Sequence, residues 1–209
     1  MRVKIYVEGG GEGKELRTRC REGFRKLIEN SGFAGRMPAF VAGGGRQSTY
    51  ESFRVAAGIP DADTYPMLLV DSEDPVTSAA WDHLKSRDHW ERPGGTNDDQ
   101  AQLMVTCMET WIIADRDALK RVFGQCLRTN RLLPQIGLEA WLRQDVQDAL
   151  EQATRNCGKR KAYSKGRRSF QLLAELNSET LRKYLPSFVR FLSAFDQHLG
   201  TYNDGGNTH

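Results

Sequence analysis

Short β-rich runs alternate with helical segments through the first half of the chain, and this alternation constrains the fold more than any other feature. Four runs have the composition of strands: "VKIYV" (residues 3–7), "MPAFVA" (37–42), "YPMLLVD" (65–71) and "AQLMVTCM" (101–108). Strands separated by helices of ten or more residues are typical of βαβ units, which form a parallel sheet. The sequence therefore predicts an α/β fold with a four-stranded parallel sheet flanked by helices.

Helical periodicity and capping patterns fill the intervals between these runs. A helix is predicted from Lys14, because apolar residues recur on one face while charged residues occupy the other. The apolar positions are Leu16, Cys20, Phe24, Leu27 and Ile28. Ser48 and Glu51 have the spacing of a capping box, which predicts a second helix that ends near Gly58.

After Asp115 the pattern becomes almost wholly helical. Helices are predicted at roughly residues 117–123, 138–154, 169–176 and 188–199. The chain of 209 residues is long enough for one substantial domain with an appended portion. We expect an α/β core over residues 1–115, a helical portion over 116–200 packed on that core, and a disordered tail over 201–209.

Composition and cysteine spacing limit the class of protein. The chain is 39% hydrophobic and 27% charged, which is typical of a soluble globular domain, and its net charge of +3 is too small to indicate a partner. No apolar run reaches the length of a membrane span, and "MRVKIYVEGG" lacks a signal-like apolar core. We therefore expect a cytoplasmic protein with no membrane partner. The cysteines form no C-x-x-C pair, so free thiols are expected, with Cys20 and Cys107 as core residues.

The glycine-rich segment "VEGGGEGKEL" (residues 7–16) has the composition of a phosphate-binding loop but not its spacing. A P-loop with Gly13 and Lys14 as its Gly-Lys pair would need glycine where the chain has Glu8, and a hydroxyl residue where it has Glu15. The dinucleotide-binding fingerprint fails as well, because its third glycine falls on Lys14. The segment is therefore predicted to be a turn between strand and helix, and its acidic residue becomes the candidate functional group.

Acidic residues follow three of the predicted strands. Glu8 ends the first strand, Asp71 ends the third with Glu73 and Asp74 close behind, and Glu109 follows the fourth. Ligands of open parallel sheets collect at the carboxyl ends of the strands, where these residues meet. Clustered carboxylates repel one another unless a cation neutralises them, and hard oxygen ligands suit Mg²⁺ or Mn²⁺. The sequence therefore predicts a site for Mg²⁺ or Mn²⁺ at this edge.

Several of these acids also fit a structural role. Asp74 precedes Pro75 and has the pattern of an N-cap for a helix that begins there. Asp115 and Asp117 are suited to cap the helix "DALKRVF", and Glu109 is suited to a solvated turn. Glu8 and Asp71 directly follow buried strands, so the metal-binding interpretation is strongest for these two.

The order and spacing of these acids resemble the Toprim fold of topoisomerases, primases and OLD-type nucleases. In that family a glutamate follows the first strand and a D-x-D motif follows the third. Here "VEGGGEGKE" supplies Glu8, and "LLVDSED" places Asp71 and Glu73 in the D-x-D positions. The glutamate replaces the second aspartate, which leaves open whether Glu73 or Asp74 is the ligand. Together with "MVTCMETWIIAD", these stretches resemble small Toprim-like proteins related to RloB-like proteins and found beside AAA-type ATPases.

The resemblance covers roughly residues 3–115 and implies a Rossmann-like Toprim core. It also implies a metal-dependent nuclease, acting on DNA or RNA, in bacterial antiviral defence with an AAA-type ATPase as a possible partner. Glu8, Asp71 and Glu73 would then hold one or two divalent ions.

A basic run, "KRKAYSKGRR" (residues 159–168), is the second candidate feature. Its basic residues are Lys159, Arg160, Lys161, Lys165, Arg167 and Arg168. Such a run fits a solvated loop, and it also fits a nucleic-acid surface in which these side chains contact phosphates and Tyr163 stacks on a base. On the second interpretation, Lys165 is suited to stabilise charge on a scissile phosphate.

Three functions remain open from the sequence. The first is a Mg²⁺- or Mn²⁺-dependent phosphodiester hydrolase in which Glu8, Asp71, Glu73 and Lys165 act directly. The second is a non-catalytic partner of an ATPase or nucleic acid, which a wide separation of Glu8 and Asp71 would favour. The third is phosphoryl or nucleotidyl transfer to a small molecule, which a small pocket would favour over an open basic groove.

Overall fold

A four-stranded parallel sheet forms the centre of the molecule. The computed structural model describes residues 1–59, 63–158 and 161–199. The strands are β1 (Arg2–Gly10), β2 (Ala39–Gly44), β3 (Thr64–Asp71) and β4 (Ala101–Met104). They lie in the order β2-β1-β3-β4, and every neighbouring pair is parallel. The predicted α/β class and four-stranded parallel sheet are confirmed, and the Rossmann-like arrangement follows from the crossovers between strands.

Helices cover both faces of the sheet. The helices of the first half are α1 (Lys14–Ile28), α2 (Arg46–Ala57), α3 (Ala80–Asp88) and α4 (Met108–Ala114). Those of the second half are α5 (Arg116–Phe123), α6 (Arg143–Thr154), α7 (Arg167–Leu173), α8 (Ser178–Tyr184) and α9 (Pro186–Asp196). Among the described residues, no helix has both the length and the apolar character needed to cross a membrane.

The alternation of side chains along β1 divides the core into two layers. Val3, Ile5 and Val7 belong to a large apolar cluster with α1 and the C-terminal helices, whereas Tyr6 faces the smaller cluster formed with α2 and α3. This division follows from the two-residue period of a strand, which sends successive side chains to opposite faces. Both faces of the sheet are therefore buried, as its apolar strands predict.

The C-terminal helices share the core of the α/β part. Trp111 of α4 is fully buried and packs edge-to-face against Phe24 of α1 and Phe188 of α9. The large apolar cluster is continuous from β1 to α9. The helical second half is thus observed to be packed on the sheet, while the predicted division at residue 115 stays a prediction. The predicted tail, 201–209, lies outside the described residues.

The fourth strand is shorter than predicted. It ends at Met104, which pairs with Asp71, the last residue of β3. Beyond this point no neighbouring strand remains to pair with, and the chain turns into α4 at Met108 instead. Helix α4 was not predicted from the sequence, because all seven of its residues are buried and it lacks the polar face that marks an amphipathic helix. Helix α8, which also has seven residues, was not predicted either.

Two helix starts that were predicted from capping patterns were wrong, and the helix predicted from residue 138 begins at Arg143. The Ser48 hydroxyl donates to the carbonyls of Gly43 and Gly45 instead of accepting from a backbone N–H, and α2 already begins at Arg46. The helix predicted from Pro75 begins only at Ala80, after an irregular segment. In both cases the course of the chain at the sheet edge, and not the local capping pattern, determines the residue at which the helix begins.

The free-thiol prediction was wrong for two cysteines and confirmed for the other two. Cys126 and Cys157 form a disulfide across 31 residues, with their Cα atoms 5.0 Å apart. Their segments come together through the C-terminal helical packing, including a backbone hydrogen bond from Arg128 to Ala153, which sequence spacing alone does not reveal. Cys20 and Cys107 are free and buried, as expected for core residues.

The junction between the two halves depends on Asp115. Its Oδ1 accepts hydrogen bonds from the N–H groups of Asp117 and Ala118 and so caps α5, while Oδ2 accepts from the N–H of Asn177. Asp115 is buried, whereas Asp117 is exposed and pairs with Lys120. Of the two predicted capping residues, Asp115 therefore performs this role.

Asp115→Ala is expected to lower the free energy of unfolding by about 1.5–5 kcal/mol. A lost N-cap costs about 0.5–2 kcal/mol, and an unsatisfied buried N–H adds about 1–3 kcal/mol. Asp117→Ala should cost less than about 1 kcal/mol, since it removes only an exposed ion pair. Urea unfolding followed by circular dichroism measures both values. Equal losses in the two variants would contradict the capping role of Asp115.

Candidate metal centre

Three acidic side chains meet at the carboxyl edge of the sheet. Glu8 lies near the end of β1, Asp71 ends the adjacent strand β3, and Glu73 follows two residues later. One carboxylate oxygen from each lies within 4.8 Å of the others. The edge that was predicted from strand ends therefore brings these three acids together, at a separation that one shared cation can span.

Glu8 is held in place by hydrogen bonds from both sides. Its Oε2 accepts from the backbone N–H of Asp71 (3.2 Å) and from Nη1 of Arg46 (3.3 Å). Arg46 in turn pairs with Asp88 at 2.6 Å, and its guanidinium lies 4.9 Å from the centre of the Trp90 ring. Arg46 is therefore held by Asp88 and Trp90, and its positive charge orients Glu8 at the sheet edge.

Asp71 is the most buried acid of the cluster. Its side chain is almost fully buried, and Oδ1 accepts a 2.8 Å hydrogen bond from the N–H of Met108 at the start of α4. Burial, followed by the nearby charges of Glu8 and Glu109, raises the pKa of Asp71 well above its ordinary value near 3.8. Without a cation this carboxyl therefore keeps its proton to a higher pH than an exposed aspartate does.

Glu73 reaches the cluster through an unusual backbone conformation. Its φ of 70° lies in the left-handed region, and its N–H donates to the carbonyl of Thr106 at 2.8 Å. The carboxylate pairs with Arg143 of α6 and, at 3.8 Å, with Arg87 of α3. A left-handed non-glycine residue costs free energy, and such residues gather at functional sites.

Asp74 points away from the other acids. Its side chain is 60% exposed and pairs with Arg87 at 3.0 Å. It does not cap α3, which begins six residues later, so the predicted capping role was wrong. The structure thus places Glu73, and not Asp74, beside Glu8 and Asp71.

Glu109 lies at the base of the site and not in a solvated turn. It is fully buried, and its Oε1 accepts a hydrogen bond from the Tyr163 hydroxyl, which also contacts Ser169 Oγ at 2.8 Å. Its Oε2 has no hydrogen-bond partner among the described residues. A buried carboxylate oxygen without a partner is costly, and a bound cation would satisfy it.

A cavity of about 320 Å³ opens beside Glu8 and Asp71. Its lining includes the site residues Glu8, Asp71, Glu109 and Lys165, the glycines Gly9, Gly10, Gly11, Gly44 and Gly166, and the apolar residues Leu16, Met108 and Phe170. Two of these glycines are required by close approach. A Cβ at Gly10 would lie 2.7 Å from Arg17 Cα, and a Cβ at Gly44 would lie 2.7 Å from the carbonyl oxygen of Gly11. The glycine-rich segment therefore shapes the cavity wall next to Glu8.

The structure divides the predicted basic run. Lys165 lines the cavity, whereas Lys161 and Arg167 are exposed elsewhere on the segment, and Arg168 donates to Gln171 at 2.7 Å. Lys159 and Arg160 lie outside the described residues. The expected base-stacking role of Tyr163 was wrong, because its ring is buried and its hydroxyl is bound to Glu109.

Three arginines that contact the acids were not predicted from the sequence. Arg46 pairs with Glu8, and Arg143 pairs with Glu73. Arg87 pairs with both Glu73 and Asp74. Arg46 follows the end of β2, so its position at the carboxyl edge of the sheet was predictable from the sequence in the same way as that of the acids. Arg143 begins a helix far along the chain, and no sequence pattern linked it to the sheet edge.

The matched family extends over nearly the whole chain. The family described as "Domain of unknown function (DUF4276)" matches residues 7–196, and the chain therefore belongs to that family. No curated protein and no solved structure matches the chain. The three clustered acids, Glu109 and Lys165 all lie within the matched range.

The raised pKa of Asp71 predicts how stability depends on pH without metal. The folded protein binds this proton more tightly than the unfolded chain, so the stability that this group contributes is full below about pH 3.8 and falls as pH rises toward the raised pKa. Asp71→Asn keeps the Oδ1 acceptor but carries no charge. In EDTA, the melting temperature of this variant relative to wild type should therefore rise as the pH increases from about 4 toward the raised pKa of Asp71. Each 1 kcal/mol of difference in the free energy of unfolding corresponds to about 2–4 °C in melting temperature. A difference that stays constant over this pH range would contradict the raised pKa of Asp71.

Removal of two ligands should weaken cation binding strongly. In calorimetric titration with Mn²⁺, the Glu8→Gln/Asp71→Asn double variant should bind the ion more than about 100-fold more weakly than wild type. This loss exceeds the roughly 10- to 100-fold loss of affinity that follows removal of a residue that only supports a metal ligand. Glu51→Gln/Asp98→Asn is the matched control, since it removes two acids that pair with arginines elsewhere on the surface. Unchanged binding in the first variant would rule out the proposed site.

Proposed function

We propose that the protein is a Mg²⁺- or Mn²⁺-dependent phosphodiester hydrolase that acts on DNA or RNA. The observation that carries the proposal is the convergence of Glu8, Asp71 and Glu73, whose ligand oxygens lie within 4.8 Å at the carboxyl edge of a parallel sheet. This separation favours a shared cation over the non-catalytic interpretation, for which a wide separation of the acids was expected.

The donor set fits a hard divalent cation. All the candidate ligands are carboxylate oxygens, which suit Mg²⁺ and Mn²⁺, and the partnerless Oε2 of Glu109 adds a further acceptor in the same cavity. Glu8, Asp71 and Glu73 would hold the ion, with Glu109 available deeper in the cavity. When bound, such an ion lowers the pKa of water and offsets the charge of a phosphodiester.

Lys165 is the residue of this chain best placed to contact the phosphate. It lines the cavity, and its charge lowers the pKa of the nearby Asp71, against the larger effect of burial. Among the described residues no acid forms an ion pair with it, so its ammonium group remains available to a substrate. In a partly enclosed site, a donor aimed at developing charge stabilises the transition state more than it does in water.

Nucleic acid is the proposed substrate because further basic residues continue from Lys165. Lys161 and Arg167 are exposed on the same segment, where contacts with a phosphate backbone are accessible. A role in bacterial defence beside an AAA-type ATPase is supported only by the resemblance to Toprim-like proteins.

A second candidate is phosphoryl or nucleotidyl transfer to a small molecule, and the cavity favours it. Its volume of about 320 Å³ is near the lower end of the range typical of small-molecule sites, about 300–1,000 Å³. The burial of Tyr163 also removes the aromatic platform that was expected for a single strand. Both candidates use the same acids and lysine, and the substrate separates them.

The proposal is tested by incubation with single- and double-stranded DNA and RNA, and with nucleotides, in Mn²⁺, Mg²⁺ or EDTA. We expect metal-dependent cleavage of a polynucleotide, which Lys165→Ala should slow by roughly 100- to 1,000-fold, as loss of a preorganised transition-state donor does. Lys120→Ala, which removes an exposed lysine of α5, is the control and should leave the rate unchanged. Turnover of nucleotides alone would favour the second candidate, and no turnover of any substrate would contradict both.

A further inference from the structure

Arginine side chains pair with two of the acids that would bind a divalent ion. Arg143 and Arg87 both pair with the same oxygen of Glu73, and Arg46 pairs with Glu8. Arg46 and Arg87 are tied to other acids as well, since both also pair with Asp88. Arg143 differs from them, because Glu73 is its ion-pair partner among the described residues.

Arg143 is fixed beside the site by the start of α6. The carbonyl of Trp141, two residues earlier, accepts a hydrogen bond from Thr106 Oγ1 at 3.3 Å, in the segment that carries β4 over into α4. The Arg143 side chain is 30% exposed, so it lies at the border between the acid cluster and solvent.

The guanidinium of Arg143, and not the start of α6, is the candidate contact for a phosphate. Arg143 is the first residue of the 12-residue helix α6, whose first turn also contains the acidic Asp145. The first N–H groups of a helix attract negative charge, and a carboxylate in the same turn already supplies that charge and repels a further anion. The phosphate contact is therefore assigned to the Arg143 side chain alone.

We propose that Arg143 contacts a substrate phosphate once a divalent cation binds, and that without the cation its pair with Glu73 keeps it from the substrate. The inference rests on the proposed function for its substrate. A second observation supports a cation at this sheet edge, because Oε2 of Glu109 is buried without a partner among the described residues and Glu109 lines the same cavity as Glu8 and Asp71. A cation among the acids weakens the hold of Glu73 on Arg143, and by linkage Arg143 weakens cation binding by the same free energy.

This coupling makes the two ligands respond in opposite directions to one substitution. In Arg143→Gln, Mn²⁺ should bind roughly two- to tenfold more tightly, because a competing positive charge is lost. Nucleic-acid binding should weaken in the same variant, but only when Mn²⁺ is present, because in EDTA Arg143 stays paired with Glu73. The slope of log affinity against log salt should fall by about one, which is the expected loss for one phosphate contact.

The experiment has two independent arms. The first is calorimetric titration of wild type, Arg143→Gln and Arg190→Gln with Mn²⁺ alone, where Arg190 is an exposed arginine of α9 that controls for net charge. The second measures fluorescence anisotropy of a hydrolysis-resistant phosphorothioate strand, with Mn²⁺ and with EDTA. Arg143→Lys keeps the charge without the planar fork and should behave closer to wild type, and thermal melts confirm that each variant is folded.

Each outcome has one consequence. Equal or weaker Mn²⁺ binding by Arg143→Gln, relative to Arg190→Gln, would overturn the competition between Arg143 and the cation. Unchanged strand binding in Mn²⁺, or an equal loss in EDTA, would overturn the phosphate contact. Because the first arm contains no substrate, tighter Mn²⁺ binding without any nuclease activity would support the competition while the proposed hydrolysis fails.

Discussion

Repulsion among three carboxylates at one sheet edge is the constraint on which the rest of the site depends. Adjacent parallel strands bring Glu8 and Asp71 together, and the left-handed backbone at Glu73 adds a third charge. Burial at Asp71 makes this arrangement costly and raises the pKa of that carboxyl. Without a bound cation, the negative charge of this cluster needs positive charges nearby. Arg46, Arg87 and Arg143 supply them.

The surrounding fold packs closely around that edge and buries part of it. The glycines after β1 and β2 let backbone approach where a Cβ would clash, and the buried pair of Tyr163 and Glu109 forms the base of the cavity. The C-terminal helices share their core with the sheet, so α6 and the segment before α7 hold Arg143 and Lys165 against the acids. Shared packing of this kind holds the side chains of the site in one arrangement.

The parts of this arrangement that follow from local periodicity were predictable from the sequence. The apolar runs of β1 and β3 end in acids, so the position of Glu8 and Asp71 followed from strand ends alone. Contacts across long separations were not predictable. Arg143 meets Glu73 across 70 positions only because α6 returns to the sheet edge, and Tyr163, in a basic run that suggested solvent, is buried against Glu109. Local patterns also misplaced the helix starts, because the chain path at the sheet edge outweighed them.

Anomalous diffraction from crystals grown with Mn²⁺ tests the central claim most directly, because it locates the ion without relying on activity. We expect a peak within coordination distance of carboxylate oxygens of Glu8, Asp71 and Glu73, with Arg143 turned away from Glu73. The claim would be contradicted if Mn²⁺ occupied sites only elsewhere on the molecule and the pair between Arg143 and Glu73 stayed intact.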